Sequence, residues 1–190
     1  MCEIIVAGFG GQGVLAAGII LANAGMKADL NTTWLPAYGG EQRGGTANCS
    51  VKLSKDEVGS PFVEDPDVLL AFNQPSFDKF EKAVRPGGFV FVNSSLITRE
   101  TVRSDVNVIR IDATQMAAEL GNARAANSIM LGALIGRLSL VPADKAEEAL
   151  NEYFAQKSEK AAELNRRAFK LGMDHTAAEE ADINGTRIVP

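Results

Sequence analysis

The sequence is short of the residues that most self-contained chemistry needs. Only two of its 190 residues are cysteine, Cys2 and Cys49, and only one is histidine, His175 near the C-terminus. An iron–sulfur cluster takes about four thiolates and structural zinc about four ligands, so this chain by itself supplies neither. So few cysteines fit a reducing, cytoplasmic setting and leave at most one disulfide open. A single, remote histidine argues against a Ser–His or Cys–His nucleophile and against a histidine metal site. Long apolar runs are missing too. The longest, Val14–Ala22 and Ile129–Gly136, fall far below the ~20 residues of a membrane span. No basic stretch precedes Ile4–Ala7, which reads as a strand and not as a signal peptide. Nor is there a basic run anywhere. The net charge is −5 and the pI about 5.0, which disfavours nucleic acid and anionic membrane as partners.

What is present is a soluble, globular composition, 46% hydrophobic and 23% charged. Glycine is the exception to its evenness. Ten of the 18 glycines lie in the first 50 residues, a stretch with only five charged side chains: Glu3, Lys27, Asp29, Glu41 and Arg43. Glycine without charge points to backbone brought close to something.

The hydrophobic pattern lays out the elements. Ile4–Ala7 is β-branched and unbroken, as in a strand buried on both faces. Val14–Met26 is apolar on nearly every side, a buried helix whose Gly18 calls for close packing. Asn31–Leu35 reads as a second strand ended by Pro36. Thr46–Leu53 alternates, with Ala47, Cys49, Val51 and Leu53 on one face and Thr46, Asn48, Ser50 and Lys52 on the other. Val68–Phe72, Phe89–Val92 and Val106–Ile111 are further strands, and Pro75 opens a helix through Phe77, Phe80 and Val84. The remainder is helical: Ala113–Leu120, Ala126–Leu138, Ala143–Gln156 and Ser158–Leu171, with Gly172 as a stop and His175 exposed beyond it. The alternation implies an α/β fold, a doubly wound, Rossmann-like sheet with a helical C-terminal portion. It forms a single domain over residues 1–175, followed by a loose tail over 176–190.

Two glycine loops stand out. Gly8-x-Gly10-x-x-Gly13 lies between a strand and a helix, where free N–H groups and the positive helix end can face an anion. A dinucleotide site also needs an acidic residue at the far end of the second strand. Asp29 lies before that strand and Pro36-Ala37-Tyr38 follows it, so NAD is disfavoured. A tight turn without a ligand explains the motif equally well. The second loop, Tyr38-Gly39-Gly40-Glu41-Gln42-Arg43-Gly44-Gly45, sets two opposite charges among four glycines. Arg43 suits a phosphate or carboxylate, and the alternative is an Arg43–Glu41 pair that stiffens the loop. Asn127, at the start of an apolar helix, either points toward a site or is held by backbone groups. Cys49, on the apolar strand face, reads as a small buried hydrophobe.

Together, Gly8-Phe9-Gly10-Gly11-Gln12-Gly13-Val14 and Tyr38-Gly39-x-Glu41-x-Arg43-Gly44-Gly45-Thr46-Ala47-Asn48-Cys49 resemble the gamma subunit of 2-oxoacid:ferredoxin (acceptor) oxidoreductases. The likeness continues in Asn127-x-x-x-Leu131-Gly132-Ala133 and Asn165-x-x-Ala168-Phe169-x-x-Gly172, and Gly40 departs from the proline expected in many relatives. The resemblance implies a subunit of a complex that decarboxylates a 2-oxoacid oxidatively to an acyl-CoA. It also implies thiamine diphosphate, Mg2+, iron–sulfur clusters and CoA at the level of the complex, with none held by this chain alone. The implied partners are alpha, beta and ferredoxin-like delta subunits, with ferredoxin or another acceptor beyond them. Overall resemblance favours 2-oxoglutarate among pyruvate, 2-oxoglutarate, branched-chain oxoacids and indolepyruvate. The expected site is Gly10, Gly11, Gln12, Gly13 and Arg43 for CoA phosphates or subunit contacts. The expected interface loop is Tyr38, Gly39, Glu41, Arg43, Gly44 and Gly45. The rival reading is a nucleotide-binding dehydrogenase or regulatory module built on the first loop.

Overall fold

The computed structural model describes residues 1–38 and 45–179. The α/β architecture expected from the alternation of elements is the one observed. Six strands form one mixed sheet in the order β2-β3-β1-β4-β5-β6. They are β1 (Cys2–Phe9), β2 (Asn31–Tyr38), β3 (Thr46–Ser54), β4 (Val68–Ala71), β5 (Phe89–Asn93) and β6 (Asn107–Ile111). β1, β4, β5 and β6 run parallel, whereas β3 runs antiparallel to both β1 and β2. β2 therefore points the same way as β1, with β3 between them.

Alternate strand residues feed two cores. Ile4, Val6, Val51, Leu70 and Phe91 join one, shared with α1 (Val14–Lys27), α3 (Ala113–Glu119) and α4 (Ala126–Leu138). Ile5, Ala7, Leu69, Ala71 and Val92 join the other, with Phe77 of α2 (Gln74–Phe80). Period-2 strands covered on both faces are the reason the runs read as continuously apolar. α5 (Ala143–Ala155) and α6 (Glu159–Glu179) complete the helical layer over the first core.

Several boundaries differ from expectation, each for a local reason. Pro36 does not end β2, which continues to Tyr38; the strand is at the sheet edge and bonds only to β3, so a missing N–H is tolerated. The helix opened by Pro75 stops at Phe80, and a 3-10 turn over Glu81–Ala83 leads to an extended Val84. Gly172 does not stop its helix. A Cβ there would overlap the carbonyl oxygen of Ile129, and one at Gly132 would overlap that of Phe169, so both glycines let α4 and α6 pack backbone to backbone. α6 runs on to Glu179, which places residues 176–179 in a helix and not in a tail; residues 180–190 lie outside the described residues. Thr176 is buried, with its hydroxyl donating to Ala133 O at 3.1 Å, and His175 is half-buried within the helix instead of exposed at its end.

Lys52 is not a solvated residue on an open face. It is buried opposite Glu3, with Nζ 2.6 Å from Glu3 Oε1, and Arg85 bridges Glu3 and Asp67 at 2.8 and 3.0 Å. Burial of either charge is compensated by the other, and the pair lies near the start of β1, at the strand end remote from the glycine turn.

Candidate functional site

The glycine turn leaves the carboxyl end of β1. The glycines have separate tasks. At Gly8 a Cβ would lie 2.7 Å from both Gln12 Oε1 and Val14 Cγ2 and 2.9 Å from Phe72 Cβ, so packing excludes a side chain. Gly11 and Gly13 hold φ of 99° and 77°, in the region that favours glycine. Gly13 is the residue before α1. No side chain caps the helix and no acidic residue lies in its first turn, so its leading N–H groups and positive end have no side-chain counterpart. Around Gly11 the space is open: a Cβ would meet nothing within 4 Å.

The structure turns Gln12, one of the expected contact residues, inward. Its Oε1 accepts from Phe9 N–H at 2.7 Å and from Asn73 Nδ2 at 3.0 Å, and its Nε2 donates to Phe72 O at 3.3 Å. This carboxamide fills the crevice between the carboxyl ends of β1 and β4, where open α/β sheets reverse strand order and commonly bind ligands. Asn73 is committed as well, because its Oδ1 caps α2 by accepting from Ser76 N–H at 2.9 Å. Of the two readings of Asn127, the structure supports the backbone-held one: Nδ2 donates to Gly13 O at 3.3 Å and packs against Gly13. Its side chain is 3% exposed, and Oδ1 has no hydrogen-bond partner among the described residues.

The ends of the second loop meet this turn. Gly10 N–H donates to Gly45 O at 2.9 Å, Phe9 pairs with Thr46, and Tyr38 pairs with Ala47. Both glycine segments thus begin at one sheet edge, as parallel directions of β1 and β2 require. Gly39, Glu41, Arg43 and Gly44 lie outside the described residues, as do Gly40 and Gln42.

In front of the turn lies a cleft of about 500 Å³, lined by Gly10, Gly11, Gly13 and the first turn of α1 on one side. Tyr153 and Lys157, from the end of α5, line the other. Neither Tyr153 nor Lys157 stands out in the sequence, since helical spacing carries no sign of what a residue faces across a cleft.

The thiols take no part. Burial pushes Cys2 and Cys49 up to about 12 each, the nearby Asp67 carboxylate adding to the effect at Cys2. Cys49 pairs with Val6 and Cys2 with Leu53, which separates the two by roughly 13 Å along the strands, too far for a disulfide. Both are free, buried and protonated, and so do not fit an iron–sulfur cluster. Among the described residues no group of three or more His, Cys, Asp or Glu is placed to hold a metal, and no helix is long and apolar enough to cross a membrane. Asp29 lies in the turn between α1 and β2, at the opposite sheet edge from the glycine turn. β3 also separates β2 from β1, and among the described residues no carboxylate stands where the ribose contact of a dinucleotide site requires one.

The chain is 43% identical over 174 residues to a ketoisovalerate oxidoreductase subunit, VorA, of Methanothermobacter thermautotrophicus, covering 90% of this chain and 36% of that protein. It therefore spans about a third of the length of the VorA relatives it matches. To a 2-oxoglutarate synthase subunit, KorC, of Methanocaldococcus jannaschii it is 33% identical over 175 residues, 90% of this chain and 92% of that one. The gamma subunit of a keto/oxoacid ferredoxin oxidoreductase from Geobacter sulfurreducens superposes with a TM-score of 0.80 at 29% identity, covering 94% of this chain and 99% of that one. A 2-oxoglutarate:ferredoxin oxidoreductase from Magnetococcus marinus, solved with 2-oxoglutarate, coenzyme A and succinyl-CoA bound, gives 0.86 at 25% identity, covering 98% of this chain and 32% of that one. Residues 3–175, nearly all of the folded part, match a single family description, and on that match the chain belongs to the pyruvate ferredoxin/flavodoxin oxidoreductase family.

Proposed function

We propose that this chain is the gamma subunit of a multisubunit 2-oxoacid:ferredoxin oxidoreductase, inactive alone, that works in the cytoplasm with alpha, beta and ferredoxin-like delta subunits. The observation that carries this reading is the superposition on a gamma subunit over nearly the whole length of both chains. Thiamine diphosphate, Mg2+ and the iron–sulfur clusters belong, on this reading, to the partner chains. Its reaction is oxidative decarboxylation of a 2-oxoacid to an acyl-CoA. Relatives of matching length support 2-oxoglutarate as the oxoacid, while the higher identity of the VorA proteins supports 2-oxoisovalerate. Turnover of both acids by the purified complex decides between them.

The role proposed for this chain is to form part of the CoA entrance. The open backbone at Gly11, the uncapped start of α1 and the Arg43 side chain supply the phosphate contacts, while Gly10 and Gly13 shape the turn. Gln12 holds the turn from within. The relative solved with CoA bound supports the choice of ligand. The loop over Tyr38–Gly45 serves at the same time as docking surface for the catalytic subunits. In the complex purified from its native source, Arg43→Ala raises the KM for CoA by about tenfold, the worth of one charge-assisted contact. The KM for the 2-oxoacid changes little. An unchanged KM for CoA in a stable complex contradicts the CoA role, and loss of subunits on size exclusion assigns the loop to docking alone.

A further inference from the structure

The cleft ahead of the glycine turn has a second wall to which no role has yet been given. Lys157 follows the end of α5, and its Nζ lies 4.9 Å from the centroid of the Tyr153 ring and 5.2 Å from that of Phe154. The two rings meet edge to face at 5.1 Å, and Phe154 is buried. The ring faces therefore hold a cation at the rim of the cleft. No carboxylate pairs with it among the described residues. The other lysine that contacts α5 behaves differently: Lys27 lies 2.8 Å from Glu148 and 2.7 Å from Glu152. The described residues include carboxylates to spare, yet none of these is spent on Lys157.

The opposite wall is also unfinished. It presents Gly11 with open space around it and the start of α1 without a capping side chain. Behind Gly13, the buried carboxamide of Asn127 packs on the residue that opens the helix. An added Cβ at Gly13 would sit 2.5 Å from its Nδ2, and its Oδ1 finds no donor within the described chain. Asn127 thus fixes Gly13 from inside the fold, leaving the outer side of the turn to the cleft. An unpaired cation faces an uncapped helix start across about 500 Å³. That space takes a group with several anionic oxygens better than any neutral one.

We propose that Lys157, held in place by Tyr153, is a phosphate-binding residue for CoA, facing the Gly10–Gly13 turn across the cleft. The proposal rests on the CoA reading above and adds to it a contact from just beyond α5 that neither glycine loop contains. Lys157 supplies the charge. Tyr153 acts as a positioning residue, fixing the ammonium over its ring.

Steady-state kinetics of the assembled complex test it. Lys157→Gln raises the KM for CoA by about three- to tenfold, the range for one partly exposed charged contact. The kcat and the KM for the 2-oxoacid stay near their original values, Lys157→Arg restores most of the loss, and added salt weakens CoA less in Lys157→Gln than in the unchanged complex. Arg43→Ala, measured alongside, separates the possible failures. If Arg43→Ala raises the KM for CoA and Lys157→Gln does not, Lys157 is overturned while the CoA reading stands. If neither variant moves it, both fall. Dissociation of the complex in Lys157→Gln at an unchanged KM for CoA makes the residue a subunit contact and also overturns the proposal.

Discussion

Glycine does opposite work in two regions of this molecule. Along the α4–α6 seam, the space that a Cβ would take at Gly132 and Gly172 is already filled by the carbonyl groups of Phe169 and Ile129. The seam is dry and finished, and glycine serves there to bring two helix backbones together. At the turn after β1, Gly8 and Gly13 are hemmed in by Gln12, Phe72 and Asn127, but Gly11 faces open space beside the cleft. One residue type thus marks either closed packing or exposed backbone, and only the neighbours tell which. The proposed CoA contact belongs to the place where the vacancy is left open.

Substitution by alanine sharpens the contrast, because the same methyl group is added each time. The largest effect belongs to the seam. Gly132→Ala puts the methyl onto the Phe169 carbonyl of a helix that cannot yield locally, and destabilises the fold by about 3 kcal/mol, in the upper range for overpacking. Urea unfolding measures it as a lower midpoint with an unchanged slope. A cost below about 1 kcal/mol would mean that the two helices separate readily.

Gly13→Ala is expected to cost about 2 kcal/mol, from the positive φ together with contact against Asn127. Adding Asn127→Ala removes the contact but not the backbone strain, so the double variant recovers part of the loss. Strict additivity in that cycle would show that Asn127 does not brace the turn. The smallest effect on stability belongs to Gly11→Ala, about 1 kcal/mol from backbone conformation alone, since the methyl meets nothing. The proposed role makes this variant raise the KM for CoA in the complex although it hardly affects folding. The seam variant shows no such split.

The sequence made β1, β4 and β5 legible because each is covered on both faces, so short apolar runs such as Val68–Ala71 had no polar face to confuse them, and β3 was legible from its alternation. It made the glycine turn legible as a turn between strand and helix. It did not show which side chains of that turn point outward. Gln12 looked like part of an exposed loop until Phe72 and Asn73, some 60 residues away, came to rest beside it. Gly172 looked like a helix stop because a local signal for a C-cap is the same whether the helix ends or another helix packs there. Pro36 looked like a strand end because edge or interior, which decides whether a strand tolerates proline, is a property of the sheet order and not of the segment. Lys52 could not be placed as a buried charge before Glu3 was known to lie opposite. Lys157 was hidden for the same reason as Gln12, since the cleft brings together residues from the two ends of the fold. In each case the local pattern fitted more than one outcome, and a non-local partner decided between them.

Hydrogen–deuterium exchange on the assembled complex, with and without CoA, tests most directly whether the open turn is a ligand site. Addition of CoA is expected to slow exchange of the backbone amides in the segments containing Gly10–Ala16 and Gly39–Gly45, and to leave the α4–α6 seam unchanged. If those amides are protected by assembly alone and CoA adds nothing, the glycine turn is a docking surface and the proposed CoA role is wrong.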